Sequence, residues 1–233
     1  MSINHTIHPE YIHLTTFIIN LPNSFDNKGK LLYKVRNEVR LIDVDGIKVV
    51  VKKFKVPHFA NRIAYTYFRK SKARRSYEYS QELIANGFGA AQPIAYTEYF
   101  KGGLLADSYY VSLYCEYGRD FNEFRVREIE GRELILKDFA LFTARIHDVG
   151  IRHLDYGGGN ILFEETPEGT HFCLIDVNRL EKGEVDIKKG CENFKLLYMK
   201  GNAFRFLITE YANARNFDVE ECVALIYPYI HTN

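Results

Sequence analysis

Three polar residues at fixed spacing, Asp155, Asn160 and Asp176, constrain this chain more than anything else in it. The first two lie in an H-x-D-x-x-x-x-N segment, His153 to Asn160, and the third ends the apolar run Leu174–Ile175. Such a loop puts a carboxylate where it can accept a hydroxyl proton, and an amide oxygen where it can reach a magnesium ion. A second Asp, arriving after a hairpin-length interval, supplies another magnesium ligand. Phosphoryl transfer asks for charge neutralisation, in-line positioning and a proton acceptor, and for little covalent chemistry from the protein. Singly, each residue is an ordinary turn former, since Asp and Asn cap loops. Their order, spacing and apolar flanks together carry the reading.

The flanks predict how these residues meet. Ile135, Phe139, Phe142, Ile146 and Val149 recur at steps of four and three, the period of a helix with one buried stripe, and that helix leads to His153. Ile161–Phe163 and Phe172–Ile175 read as short strands around the turn-rich Thr166–Thr170, which puts Asn160 and Asp176 at the two outer ends of one hairpin. The remainder is expected to be helical, with Asp218 and Glu221 spaced as a capping box. Upstream, Thr15–Ile19, Glu38–Val44 and Ile47–Phe54 are β-branched and read as strands, with Asp45–Gly46 as a hairpin turn. After Pro57 a basic helical stretch is expected, then a helix from Arg75 to Asn86 stopped by Gly87, a loop from Phe88 to Ile94, and a strand from Tyr109 to Cys115. The connector Glu116–Arg119 divides a small N-terminal lobe, residues 1–117, from a larger C-terminal lobe, residues 118–233.

A chain of 233 residues, 46% hydrophobic and 15% aromatic, can bury one sizeable core or two small lobes. No uninterrupted apolar run reaches bilayer-crossing length, and the first residues lack the profile of a signal peptide, so a cytoplasmic protein is expected. Cys115, Cys173, Cys191 and Cys222 lie far apart with no C-x-x-C pair, which argues for buried reduced thiols. Net charge is +1 but unevenly spread, for no acid occurs between Asp45 and Glu78. That interval holds Lys48, Lys52, Lys53, Lys55, Arg62, Arg69, Lys70, Lys72, Arg74 and Arg75, interleaved with Phe54, Phe59, Tyr65, Tyr67, Phe68 and Tyr77. The mixture suits a phosphorylated lipid, a membrane surface or nucleic acid; an ordinary solvated helix face is the plain alternative.

A lysine ends the run Val49–Lys52. Strand alternation places Val50 and Lys52 on one face and Lys53 on the other. Glu78 is the preferred ion-pair partner for Lys52, with Glu82 one turn later as the alternative. Asp155 is the expected base, or the group that orients the acceptor hydroxyl, and Asn160 and Asp176 the expected magnesium ligands. His153 is expected to brace the loop, and His147 is a core histidine or part of the site's framework. Gly157–Gly159 allows a tight backbone path between base and metal ligand, or is a flexible turn. No G-x-G-x-x-G precedes the lysine strand; Asn23–Lys30, with one glycine, stands in its place, and no nucleotide contacts are assigned there.

These residues resemble the protein-kinase-like superfamily, and within it the small bacterial lipopolysaccharide kinases that phosphorylate Kdo or heptose of the inner core. The resemblance spans most of the chain. It is carried by Val49–Phe54, by Arg74–Glu78 leading to Gly87–Ile94, by Ile146–Asp155 with Asn160, and by Ile175–Arg179. Asp176-Val177-Asn178 stands where ordinary protein kinases have D-F-G, and no A-P-E follows, so a regulated activation segment is not expected. The resemblance implies an α+β, two-lobed protein-kinase-like fold: a five-stranded antiparallel small lobe with one main helix, a hinge around Glu116 to Gly118, and a larger helical lobe. It implies ATP and Mg2+ as cofactors, with adenine between the lobes against Val50 and the hinge backbone at Glu116, and Lys52 on the α- and β-phosphates. The acceptor it implies is a sugar hydroxyl of an anionic glycolipid, Kdo-lipid A or inner-core lipopolysaccharide, with peripheral contact at the cytoplasmic membrane face. Arg179 would contact phosphate or sugar carboxylate, or form a salt bridge back to the loop. Two other readings stand beside this one: a small-molecule kinase of the aminoglycoside or choline type, whose cationic substrates the basic interval argues against, and a catalytically inactive pseudokinase scaffold binding anionic lipid. No recognised nucleic-acid module is present, so nucleic acid is not an expected partner.

Overall fold

The β-branched run at 47–54 becomes a central strand of the sheet around which the first part of the chain is organised. A computed structural model describes residues 2–56, 58–125 and 130–229. It divides into two units, one comprising Met1–Asn86 and Ala91–Cys115, the other Gly87–Ala90 and Glu116–Asn233.

The first unit contains β1 (Ser2–Ile7), α1 (Thr15–Ile19), α2 (Leu21–Ser24), β2 (Lys30–Lys34), β3 (Glu38–Val44), β4 (Ile47–Phe54), α3 (Phe59–Tyr67), α4 (Lys72–Ala85), β5 (Pro93–Lys101) and β6 (Leu104–Leu113). Its sheet has six strands rather than five, all antiparallel, in the order β1-β5-β6-β4-β3-β2. The extra strand, β1, pairs with β5 at the edge and is mostly exposed, so it adds backbone hydrogen bonds more than core. Asp45 (φ 53°) and Gly46 (φ 84°) make the expected β3–β4 turn, both residues left-handed as a two-residue hairpin loop demands.

Each face of the sheet is covered differently. Val49 and Val51 of β4, with Ile94, Tyr109 and Val111, pack against Leu14, Ile18, Leu21 and Phe25. These last four are spaced four, three and four apart and are all but fully buried. Thr15–Ile19, expected as a strand, is therefore the helix α1. A strand would have sent Leu14 and Ile18 to one face and Leu21 and Phe25 to the other, whereas burying each apolar side chain of the helical stripe contributes about 1.5–3 kcal/mol, against a strand-propensity scale spanning about 1 kcal/mol in all. On the opposite face, Phe54, Tyr96 and Tyr110 pack against Ala73 and Tyr77 of α4.

The second unit contains β7 (Arg119–Asp120), α5 (Glu133–Asp148), β8 (Ile151–His153), β9 (Ile161–Thr166), β10 (Gly169–Leu174), β11 (Leu180–Lys182), α6 (Ile187–Asn193), α7 (Gly201–Arg215) and α8 (Val219–Ile226). Helix α5 buries Ile135, Phe139, Phe142 and Ile146 as its period predicts, but ends before Val149, which is exposed. Phe139 packs with Phe121 and Phe172, and Phe163 meets Phe121 edge to face. Strands β9 and β10 form the expected hairpin, Ile161 opposite Leu174. Asp218 caps α8, accepting from the Glu221 amide at 2.8 Å. All four cysteines are free; Cys173, Cys191 and Cys222 are buried, while Cys115 is half-buried rather than interior. Among the described residues no helix is long and apolar enough to cross a membrane.

Candidate phosphoryl-transfer site

Asp155 lies in the loop after β8, partly exposed between two buried neighbours, His153 and Tyr156. The Asp155 amide donates to His153 Nδ1 at 3.0 Å, so that nitrogen carries no proton; the other, Nε2, faces the Ile175 carbonyl at 3.4 Å and donates to it. On the other side, Thr143 of α5 donates to the Phe139 carbonyl (2.8 Å) and so accepts from the Tyr156 hydroxyl (2.9 Å). The Tyr156 ring stacks on Phe139. Asp155 thus stays partly exposed, beside the exposed Leu154, in a segment clamped on both sides. Gly158 lets the loop continue past Asn122, where a Cβ would come within 2.7 Å of the Asn122 backbone nitrogen.

The clamp extends into the helices. Asn193 at the end of α6 donates through Nδ2 to the His153 carbonyl at 2.7 Å, which leaves Oδ1 to accept from His147 Nε2 at 2.9 Å. His147 Nδ1 then accepts from the Tyr211 hydroxyl at 2.8 Å, and that hydroxyl accepts from Arg215 Nη1 at 3.2 Å. Gly190 leaves room for Tyr211, since a Cβ there would lie 2.1 Å from its hydroxyl oxygen. Arg215 is itself anchored to Asp148 (2.8 Å) and the Val185 carbonyl (2.9 Å). Burial pushes the His147 pKa down to about 4 and lowers that of His153 as well, so both rings are neutral and their donor and acceptor ends are fixed. His147 is a fully satisfied core histidine, and through Asn193 it also supports the loop.

Asn160 and Asp176 come together at the ends of the β9–β10 hairpin. The Asn160 carbonyl accepts from the Ile175 amide (3.0 Å), and Asn160 Nδ2 donates to the Asp155 carbonyl (2.8 Å), which orients its Oδ1 as the remaining acceptor. Asp176 has a left-handed backbone, φ 55°, a costly conformation for a non-glycine residue of the kind that clusters at functional sites. Its carboxylate accepts from the buried Asn178 side chain. An amide oxygen and a carboxylate, both partly exposed, match what Mg2+ takes from protein: few oxygen ligands, the rest of its shell being water and phosphate. Arg179 accepts through its carbonyl from the Leu154 amide (2.8 Å), and its side chain is exposed.

In the first unit, Lys52 is 9% exposed, with its ammonium 5.2 Å from the Phe54 ring centroid, on the α4 face of the sheet. Lys53 faces the other way, over the Phe25 and Tyr109 rings, and pairs with Asp26 at 3.3 Å. Val50 is half-buried, opposite Leu41 and Ser112. Glu78, the acid expected to face Lys52, makes ion pairs with Lys70 (2.7 Å) and with Arg74 (2.9 Å) one turn back on α4. Burial alone would raise its pKa, but the hydrogen bonds from these two cations outweigh it and hold the carboxyl below its usual value. Asn23–Asn27, in the segment that stands in place of a glycine-rich loop, is helical, and Phe25 is driven into the core. The connection ahead of β3 and β4 is instead Val35–Asn37, flanked by Lys34 and holding Arg36 but no glycine. Glu116 is exposed, at the start of the longer segment of the second unit.

Asn193, Tyr211 and Asn178 are site residues that sequence reasoning did not single out. Asn178 sits two residues from Asp176 and could have been found by position; Asn193 and Tyr211 lie 40 or more residues from His153 and carry no local signal.

The lipopolysaccharide kinase (Kdo/WaaP) family model matches residues 37–219. No curated protein matches in sequence. Among solved structures, one described as WaaP in complex with acyl carrier protein superposes with a TM-score of 0.67 at 13% identity, over 97% of this chain and 94% of that one. At that identity the likeness speaks for the fold, which is the α+β protein-kinase-like one. With the family model covering well over half of its length, the chain belongs to the lipopolysaccharide kinase (Kdo/WaaP) family, a family of phosphotransferases.

Proposed function

We propose that this protein is an ATP-dependent kinase that transfers the γ-phosphate to a Kdo or heptose hydroxyl of a lipopolysaccharide precursor, at the cytoplasmic face of the membrane. The observation that carries the reading is the clamped loop: Asp155 is partly exposed while hydrogen bonds from His153 and Asn160 hold its backbone, and the amide of Ile175, next to Asp176, bonds the Asn160 carbonyl. A group held this way loses little conformational freedom when an acceptor docks. Asp155 accepts the proton of the sugar hydroxyl as it attacks. Asn160 and Asp176 hold Mg2+, which neutralises charge on the transferring phosphate. Lys52 supplies a fixed positive charge for the α- and β-phosphates, with Val50 and the Glu116 backbone as adenine contacts and Glu78 as a secondary support for the lysine side. A cationic aminosugar is a poor acceptor by this account, because the chain has no acid between Asp45 and Glu78.

The test is transfer of labelled phosphate from ATP, with Mg2+, to Kdo-bearing lipid A, comparing wild type with Asp155→Ala and Asp176→Ala. Transfer by wild type and its loss in both variants is the expected result; turnover at the wild-type rate by Asp155→Ala would remove Asp155 as the base. The glycine-free connection Val35–Asn37 favours a second reading, a scaffold without turnover. Calorimetry separates the two: no Mg2+-dependent ATP binding by the intact protein would support the scaffold.

A further inference from the structure

Helix α3 is unlike the other long helices of this protein. Helix α5 buries nine of its residues, whereas α3 buries none. Two of its polar side chains are turned toward the sheet: Arg62 Nε donates to the Leu105 carbonyl at 2.7 Å, and Thr66 Oγ1 accepts from the Leu105 amide at 3.0 Å. Tyr65 is half-buried, but the aromatic residues at the two ends go outward. Phe59 at the start is 67% exposed, and Tyr67 and Phe68 at the end are 66% and 81% exposed, with Val56 also exposed just before the helix. Exposed cations flank both ends, Lys55 on one side and Arg69 and Lys70 on the other. Lys70 also contacts Glu78, the first acid after Asp45.

A solvated surface helix presents its charges and hides its rings, so this arrangement leaves apolar area in water for which folding gives no return. At about 1.5 Å rise per residue, the two aromatic ends stand roughly 13 Å apart along the helix axis. Rings that enter the headgroup boundary, with lysine and arginine beside them, are the chemistry of an interfacial helix on an anionic bilayer. The charge argues for lipid over a second copy of the chain, because two such faces brought together would oppose like charges.

We infer that α3 and its flanks, from Lys55 to Lys70, form the surface by which this protein docks on an anionic lipid membrane, with Phe59, Tyr67 and Phe68 as the inserted side chains. This deepens the reading of the protein as a glycolipid kinase by naming the element that brings it to the bilayer. None of these residues belongs to the phosphoryl-transfer site.

The experiment is co-sedimentation of the full chain with vesicles of phosphatidylglycerol and phosphatidylcholine, against phosphatidylcholine alone. It needs neither ATP nor acceptor, so it succeeds or fails independently of the kinase reading. Wild type should bind the anionic vesicles and not the neutral ones. The triple variant F59S/Y67S/F68S should lose at least about tenfold in binding, and K55Q/R69Q should lose about fivefold for each cation removed, with unfolding temperatures unchanged because the altered side chains are exposed. Wild type that ignores anionic vesicles, or a triple variant that binds them as well as wild type, overturns the inference. So does concentration-dependent self-association that the triple variant abolishes in the absence of vesicle binding, which would make the surface an interface between copies.

Discussion

Lys52 sits in a strand with hydrogen-bonded neighbours on both sides, whereas Asp155 sits in a loop held by side chains that reach it from α5, α6 and, through His147, α7. The sheet needs no special residues to place a lysine. Register does it, and alternation sends Lys52 and Lys53 to opposite faces. A loop has no such register, so the His153 carbonyl and the Asp155 amide and carbonyl are fixed by the side chains of Asn193, His153 and Asn160, while the Leu154 amide bonds the Arg179 carbonyl; Asn193 and His153 are buried and must themselves be satisfied. The strand-borne charge should tolerate change in its surroundings, while the loop-borne charge should respond to substitutions far from it.

The largest expected effect is at Asp155 itself. Asp155→Ala should lower phosphate transfer by about 10³-fold and leave the unfolding temperature nearly unchanged, because the residue is partly exposed and its amide still reaches His153. Next comes the lysine pair. Lys52→Met should lower transfer by about 10²-fold or more, and Lys53→Met should leave transfer intact while costing under about 1 kcal/mol of stability. Equal losses of activity in both would contradict the assignment of faces.

Asn193→Ala tests the loop's dependence on distant support. It orphans the His153 carbonyl and His147 Nε2, at about 1–3 kcal/mol each, so urea unfolding should show a loss of about 2–4 kcal/mol. In the folded protein kcat should fall while KM for ATP stays, since the lysine strand is untouched; an unchanged kcat would show that the loop is held without the network. The most gradual effect is spread over pH. Because the folded pKa of His147, about 4, lies below the ordinary value of about 6.5, the unfolded chain binds the extra proton first. Stability should be full above about pH 6.5 and fall as pH drops toward 4, by about 3 kcal/mol in all. His153 acts in the same direction. In His147→Gln the part of the slope due to His147 should disappear.

Much of this architecture was legible. The period of α5, the β9–β10 hairpin, the Asp45–Gly46 turn and the Asp218 cap all follow from local patterns that tertiary packing reinforces. What was not legible has physical causes. Thr15–Ile19 looks like a strand because its residues are β-branched, but its stripe with Leu14, Leu21 and Phe25 extends beyond the run and sets a helical period. Strand β5 is buried on both faces over most of its length, Thr97 and Glu98 included, so it shows no alternation to read. Asn23–Lys30, to which no nucleotide contacts were assigned, gave no sign of its helical start, because what fixes it is the burial of Phe25 against residues distant in sequence.

For the candidate site, the sequence alone determined which residues could perform the chemistry, since H-x-D-x-x-x-x-N, the following Asp and the strand lysine are local patterns whose spacing along the chain sets their local geometry. Only the tertiary structure decided what holds them. Asn193 and Tyr211 act on the Asp155 loop across 40 and more residues. A hydrogen bond between distant segments depends on where whole helices pack, and no short stretch of sequence records that.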